Sequence, residues 1–223
     1  NENQYQTKEG FKDYQILEKI IKVKDSADEV LKIKKSHHGP LLNGLVDGLK
    51  EDKPVSMWWT YLQHKNQILE AVYALCHSKN VEYFHQNIEL IAAPGLNIMY
   101  GDAKGNIAWL TSGKLYKMPE NVNPNFILDG ANGIDEQKEY YDFSENPYAI
   151  NPAWNYVYSA NNQVEPIGDY LYPGYYLPDD RAKRIAQLLE PKNDWTKEDF
   201  MQMITDDTSS VAKSVIQNIF TGI

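Results

Sequence analysis

Tyr156-Val157-Tyr158-Ser159-Ala160-Asn161-Asn162-Gln163-Val164, then Tyr172-Pro173-Gly174-Tyr175, then Asp179-Asp180-Arg181-Ala182-Lys183-Arg184-Ile185 form the stretch around which this chain is organised. The first part alternates Tyr and Val and ends on two asparagines, which reads as a strand running into a turn. The last part follows Pro178 and opens on two aspartates. Acidic residues there meet unpaired backbone N–H groups and the positive end of a helix dipole, so a helix is expected to start. An Asn at a strand end can present a side-chain N–H₂ to a developing oxyanion, and Arg181 can return to hold it. The same residues also suit a plain turn, because Asn-Asn pairs are common there.

Upstream, Ala93-Pro94-Gly95-Leu96-Asn97-Ile98-Met99-Tyr100-Gly101-Asp102 and Lys104-Gly105-Asn106-Ile107-Ala108-Trp109 read as a hairpin turning at Asp102 to Asn106. Before it, Ile68, Leu69, Val72, Tyr73 and Leu75-Cys76 recur at helical spacing, and Val81, Phe84, His85, Ile88 and Ile91 repeat the pattern. Two helices joined near Ser78-Lys79-Asn80 are expected. Tyr14 to Val23 and Glu29 to Lys35, on either side of Asp25-Ser26-Ala27-Asp28, predict a second hairpin with one wet face. Val55 to Thr60 reads as a short strand. Residues 119–152 are rich in breakers and read as loop. Downstream, Thr196 with Asp199 three residues on predicts a capped helix, and a last helix runs toward Phe220.

Composition bounds the function. The 223 residues carry 31 acidic against 22 basic side chains, a net charge of −9, which argues against a nucleic-acid partner. No apolar run reaches membrane-spanning length, which argues against a membrane partner. Cys76 is the one cysteine, so no intrachain disulfide forms; it reads as a buried structural thiol, there being no paired-His motif for a nucleophile. His37-His38 invites a metal. Adjacent residues of a strand face opposite ways, however, so the pair reads as part of a turn before Gly39-Pro40. His64, His77 and His85 read as polar-face or boundary residues without ligand spacing.

Taken in order, Ser36-His37-His38-Gly39-Pro40, Trp59-Thr60, Asn97 with Tyr100-x-Asp102-x-x-Gly105-Asn106-Ile107, Leu128-Asp129-Gly130, Asn151-Pro152, Ser159 to Val164 and Asp180-Arg181-Ala182-x-x-Ile185 resemble the β chain of the penicillin amidase family. The matches run from about Ile16 to Ala212. Gly95-Leu96 departs from the usual polar residue before Asn97. Tyr140-Tyr141 and Asp142-Phe143 stand where the family has Trp-x-Gly and Pro-Phe elements.

The resemblance implies an α+β fold, part of the αββα sandwich of N-terminal-nucleophile hydrolases, with antiparallel sheet and flanking helices. It implies a self-cleaving precursor whose freed N-terminal Ser attacks an amide carbonyl, its own α-amine serving as base. An α-amine titrates near neutrality, as such a base should. It further implies Asn161 as the oxyanion-hole Asn and Arg181 as the residue orienting it. The chain, residues 1–223, is then expected to be one domain, an internal β-chain fragment that is inactive alone for want of the nucleophile. Its partners would be the α chain, the N-terminal part of the β chain and a small linear amide, such as a penicillin, a cephalosporin or an N-acyl homoserine lactone. No cofactor is required for the chemistry. A structural Ca²⁺ belongs to some family members, with ligands mostly upstream and Asp169 near a late one. Location would be periplasmic or extracellular. A different class of function, an aromatic-rich binding or scaffolding module without catalysis, is the competing expectation from 16 Tyr and 5 Trp.

Overall fold

The computed structural model describes residues 2–49, 52–137, 139–163 and 174–221. In chain order these give β1 (Gln4–Thr7), β2 (Gly10–Asp13), β3 (Gln15–Ile21), β4 (Glu29–Lys35), α1 (Thr60–Gln63), α2 (Ile68–Cys76) and α3 (Val81–Ile88). There follow β5 (Asn97–Gly101), β6 (Ile107–Thr111), β7 (Tyr116–Lys117), β8 (Glu139–Tyr140), β9 (Tyr148–Ile150), α4 (Asp180–Leu189), α5 (Lys197–Met203) and α6 (Ala212–Thr221). Every pairing between named strands is antiparallel. Helices with small antiparallel sheets are the mixed α+β architecture expected. Val164, Asp169 and Tyr172-Pro173 lie outside the described residues.

Two compact units emerge. The first takes in Asn1–Asn66, Ala92–Pro94 and Lys114–Tyr141. Its main feature is the β3–β4 hairpin, in register from Gln15 opposite Lys35 to Ile21 opposite Glu29. Glu18 faces Lys32 across the ladder and the two pair at 3.1 Å. The single wet face expected is not what forms: every residue of β3 is exposed, Ile16, Leu17, Ile20 and Ile21 included. Its partner β4 is less open, with Leu31 and Ile33 half-buried, and a two-stranded ribbon needs a third layer to bury a face fully. β1 with β2, and β7 with β8, are short ladders that the sequence reading left out. The strand expected at Val55 to Thr60 reduces to one bridge, Ser56 to Leu41, flanked by Leu42 N–H to Val55 O and Met57 N–H to Pro40 O, both 2.9 Å.

The second unit, Gln67–Ile91, Gly95–Gly113 and Asp142–Ile223, holds the core. The β5–β6 hairpin pairs Asn97 with Thr111 through Gly101 with Ile107, and β9 adds a third strand beyond β6. Its turn is fixed by Asp102, whose carboxylate accepts from Asn106 Nδ2, Asn106 N–H, Lys104 N–H and the Tyr100 hydroxyl at 2.8 to 3.0 Å. Gly105 takes φ +88°, open to glycine without Cβ cost. On one face of this sheet α3 sets Val81 and Ile88 against Ala108 and Leu110, closed by Phe84, Ile98 and Tyr100. Ile88 and Leu110 are wholly buried, each worth about 1.5–3 kcal/mol. Asn80 caps α3 by accepting from Tyr83 N–H at 2.8 Å. Cys76, at the end of α2, is exposed, which corrects the buried thiol expected: the apolar rows turn Ala71 inward and leave Cys76 outside.

Later in this unit, α5 has the expected box. Thr196 Oγ1 accepts from Asp199 N–H at 3.2 Å, and Asp199 accepts from Thr196 N–H at 2.8 Å. Arg184 on α4 forks onto Asp206 through Nε and Nη2, at 2.8 and 2.6 Å. Among the described residues no helix is long and apolar enough to cross a membrane.

Candidate functional site

Asn161 and Arg181 meet. Residues 156–160 form no regular strand; the chain passes through an isolated bridge between Asn162 and Leu177, with Leu177 N–H donating to Asn161 O at 2.7 Å. Asn161 itself takes φ +58°, a left-handed conformation that Asn tolerates better than most residues. From the first turn of α4, Arg181 Nη2 donates to Asn161 Oδ1 at 2.8 Å and to Ala160 O at 2.6 Å.

That contact orients the amide. With Oδ1 engaged by a guanidinium, Nδ2 is directed away from Arg181, and it finds no acceptor among the described residues. Arg181 for its part touches neutral oxygens and pairs with no carboxylate among the described residues. The adjacent Asp180 is drawn elsewhere: its carboxylate accepts from Ser210 N–H and from the Ser209 and Ser210 hydroxyls, at 2.7 to 3.4 Å. Those bonds, with Ser210's hydroxyl foremost, hold its pKa below the ordinary carboxylate value. A fixed N–H₂ donor beside an un-neutralised cation can stabilise a nearby negative charge.

A cleft of about 690 Å³ has Tyr158, Asn162, Tyr176, Leu177 and Ala182 in its wall, so it is lined by the sequence neighbours of Asn161 and Arg181 and not by the pair itself. Asp179 and Lys183, ion-paired at 2.8 Å, stand on its rim. Burial pushes the Tyr176 hydroxyl pKa up, so that residue is a neutral donor or acceptor.

The histidines behave unevenly. His77 is exposed and bonds Tyr73 O, while His64 and His85 are half-buried, each with an Nε2 lacking a partner among the described residues. Burial lowers the pKa of both. His37 and His38 sit in the turn expected before Gly39-Pro40, but on the same side of it. Their rings lie 3.7 Å apart between centroids, and both Nε2 atoms reach Glu136 Oε1, at 3.0 and 2.8 Å. Strand alternation does not govern them, because they sit in a bend ahead of Gly39 at φ +145°. Glu136 follows nearly a hundred residues later, with no spacing signal to announce it. Asp169, the position near a late calcium ligand, lies outside the described residues.

Among solved structures, the chain is similar to a thermostable penicillin G acylase from Alcaligenes faecalis, with a TM-score of 0.71 and 21% identity over 89% of its length. That match covers 35% of the acylase chain, so the present chain spans about a third of it. The likeness shows the fold, that of an N-terminal-nucleophile hydrolase. No curated protein matches. The model of the penicillin amidase family, by contrast, matches residues 1–222, and the chain belongs to the penicillin amidase family.

Proposed function

We propose that this chain is part of an acylase-type amidohydrolase, and that it supplies the group that receives the negative charge of the reaction. An N-terminal Ser, contributed by the rest of the precursor, attacks the carbonyl carbon of a linear amide. Its α-amine takes the hydroxyl proton, and the carbonyl oxygen becomes an oxyanion. Asn161 Nδ2–H donates to that oxyanion, while Arg181 holds Asn161 Oδ1 and keeps the donor aimed. Collapse breaks the C–N bond, the departing amine takes the proton, and water later frees the acyl group from the Ser. Penicillins, cephalosporins and N-acyl homoserine lactones are the substrate candidates, and an exported enzyme is the expected setting.

The observation that carries this reading is the 2.8 Å contact from Arg181 Nη2 to Asn161 Oδ1, which leaves an oriented amide donor without an acceptor among the described residues. Because Asn161 sits at φ +58°, Ala there would add backbone strain, whereas Gly would not. In the full-length protein, Asn161→Gly is therefore expected to keep its thermal midpoint and KM while kcat falls about 10²–10³-fold. Unchanged kcat with a lowered midpoint would make Asn161 a turn residue only.

A further inference from the structure

We propose that His37, His38 and Glu136 form a binding site for a divalent transition ion of the Zn²⁺ type. The three donor atoms, both Nε2 and one carboxylate oxygen, all lie within 4.8 Å of one another. Zn²⁺ takes His nitrogen and carboxylate oxygen at about 2.0–2.2 Å, so tetrahedral ligand atoms stand about 3.3–3.5 Å apart. The 2.8 and 3.0 Å separations from Nε2 to Oε1 need open by only a few tenths of an ångström to admit the ion. Two imidazoles and one carboxylate suit zinc and its neighbours in the transition series, and suit Ca²⁺ or Mg²⁺ poorly, since those ions prefer all-oxygen shells.

The donors are held in place by their surroundings. His37 stacks on Tyr5 with centroids 5.5 Å apart, and its N–H donates to the Tyr5 hydroxyl at 3.1 Å. Behind His38, its ring lies so close to Gly130 that a Cβ there would stand 2.9 Å from His38 Cε1. The His38 N–H donates to Ser36 Oγ at 3.2 Å, and His38 O accepts from Gln63 Nε2 at 3.3 Å. The ion would join the turn at Ser36–Gly39 to the loop that carries Gly130 and Glu136, two segments with no ladder between them. Three protein ligands leave a fourth position for water or an outside donor. With the His37 side chain 38% exposed, the ion has an entry path. All of these residues belong to the first unit, so the site is independent of Asn161 and Arg181.

Chelator-treated full-length protein, titrated with Co²⁺ and followed by its visible d–d bands, then with Zn²⁺ by calorimetry, tests this directly. The native protein is expected to develop intense tetrahedral Co²⁺ bands that Zn²⁺ abolishes. Glu136→Gln and His37→Ala should each remove those bands and weaken Zn²⁺ binding by more than the roughly 10–100-fold that loss of an outer-shell partner costs. His37 is the more exposed His, so His37→Ala keeps the test open if Glu136→Gln folds poorly. No uptake by the native protein, or equal uptake by native and variant proteins, would overturn the site and leave a hydrogen-bonded staple. Neither result touches the acylase reading, whose readout is amide turnover.

Discussion

At the scale of single residues, Asn161 shows what side-chain chemistry can and cannot announce. An Asn and an Arg twenty positions apart have the side-chain chemistry of the proposed oxyanion hole, but only the fold brings Nη2 to 2.8 Å from Oδ1. The left-handed backbone at φ +58° was invisible in the sequence, where Tyr156 to Ser159 suggested strand. His37 and His38 lie in a turn, as read, but strand alternation says nothing of how two side chains point where the chain bends, so their meeting at Glu136 gave no signal. Asp102 behaved as its turn position suggested. Hydrogen bonds from the Asn106 side chain, then from Asn106 N–H, the Tyr100 hydroxyl and Lys104 N–H, lower its pKa from 3.8 to about 2. A carboxylate depressed in the folded state contributes stability that is present above its unfolded pKa and lost as pH falls through the folded one. Thermal midpoint measured against pH should therefore drop between pH 3.8 and about 2, and Asp102→Asn should flatten that part of the curve while lowering the plateau above it. Parallel curves for the two proteins would show that Asp102 has no such linkage.

At the scale of elements, hairpins and capped helices were legible because their signals are local. Gly105 in its turn, Asn80 before α3 and the Thr196–Asp199 pair before α5 all act within a few residues. Short strands were not legible: β9 has three residues, bounded by Asn146-Pro147 and Asn151-Pro152, and exists because it pairs with β6. The exposure of Cys76 and of both faces of β3 depends on which elements pack nearby, which hydrophobic spacing does not specify. The α5 box gives a direct test. Thr196→Ala removes the acceptor for Asp199 N–H and the hydroxyl donor to Asp199, so unfolding should require about 1 kcal/mol less. Chemical denaturation would measure it, and an unchanged midpoint would mean that the backbone N–H of residue 196 and Lys192, which bonds Asp199 at 2.5 Å, hold the helix start without the hydroxyl.

At the scale of the whole molecule, the family and the fold are both as implied by the ordered series of motifs from the His-Gly-Pro turn to Asp180-Arg181-Ala182. Two compact units and the cluster at Glu136 were beyond reach, since long-range contacts leave no periodic trace in one sequence. The proposed function rests on a coupling, in which Arg181 acts chiefly by orienting Asn161. A double-mutant cycle on kcat in the full-length protein tests that coupling most directly. Asn161→Gly should lose about 10²–10³-fold, and Arg181→Ala somewhat less. Arg181→Lys, which retains a donor, should recover part of the loss. The double variant Asn161→Gly with Arg181→Ala should be little slower than Asn161→Gly alone, because an Arg with nothing left to orient has lost its main task. A double variant slowed by the product of the two single effects would contradict the pairing.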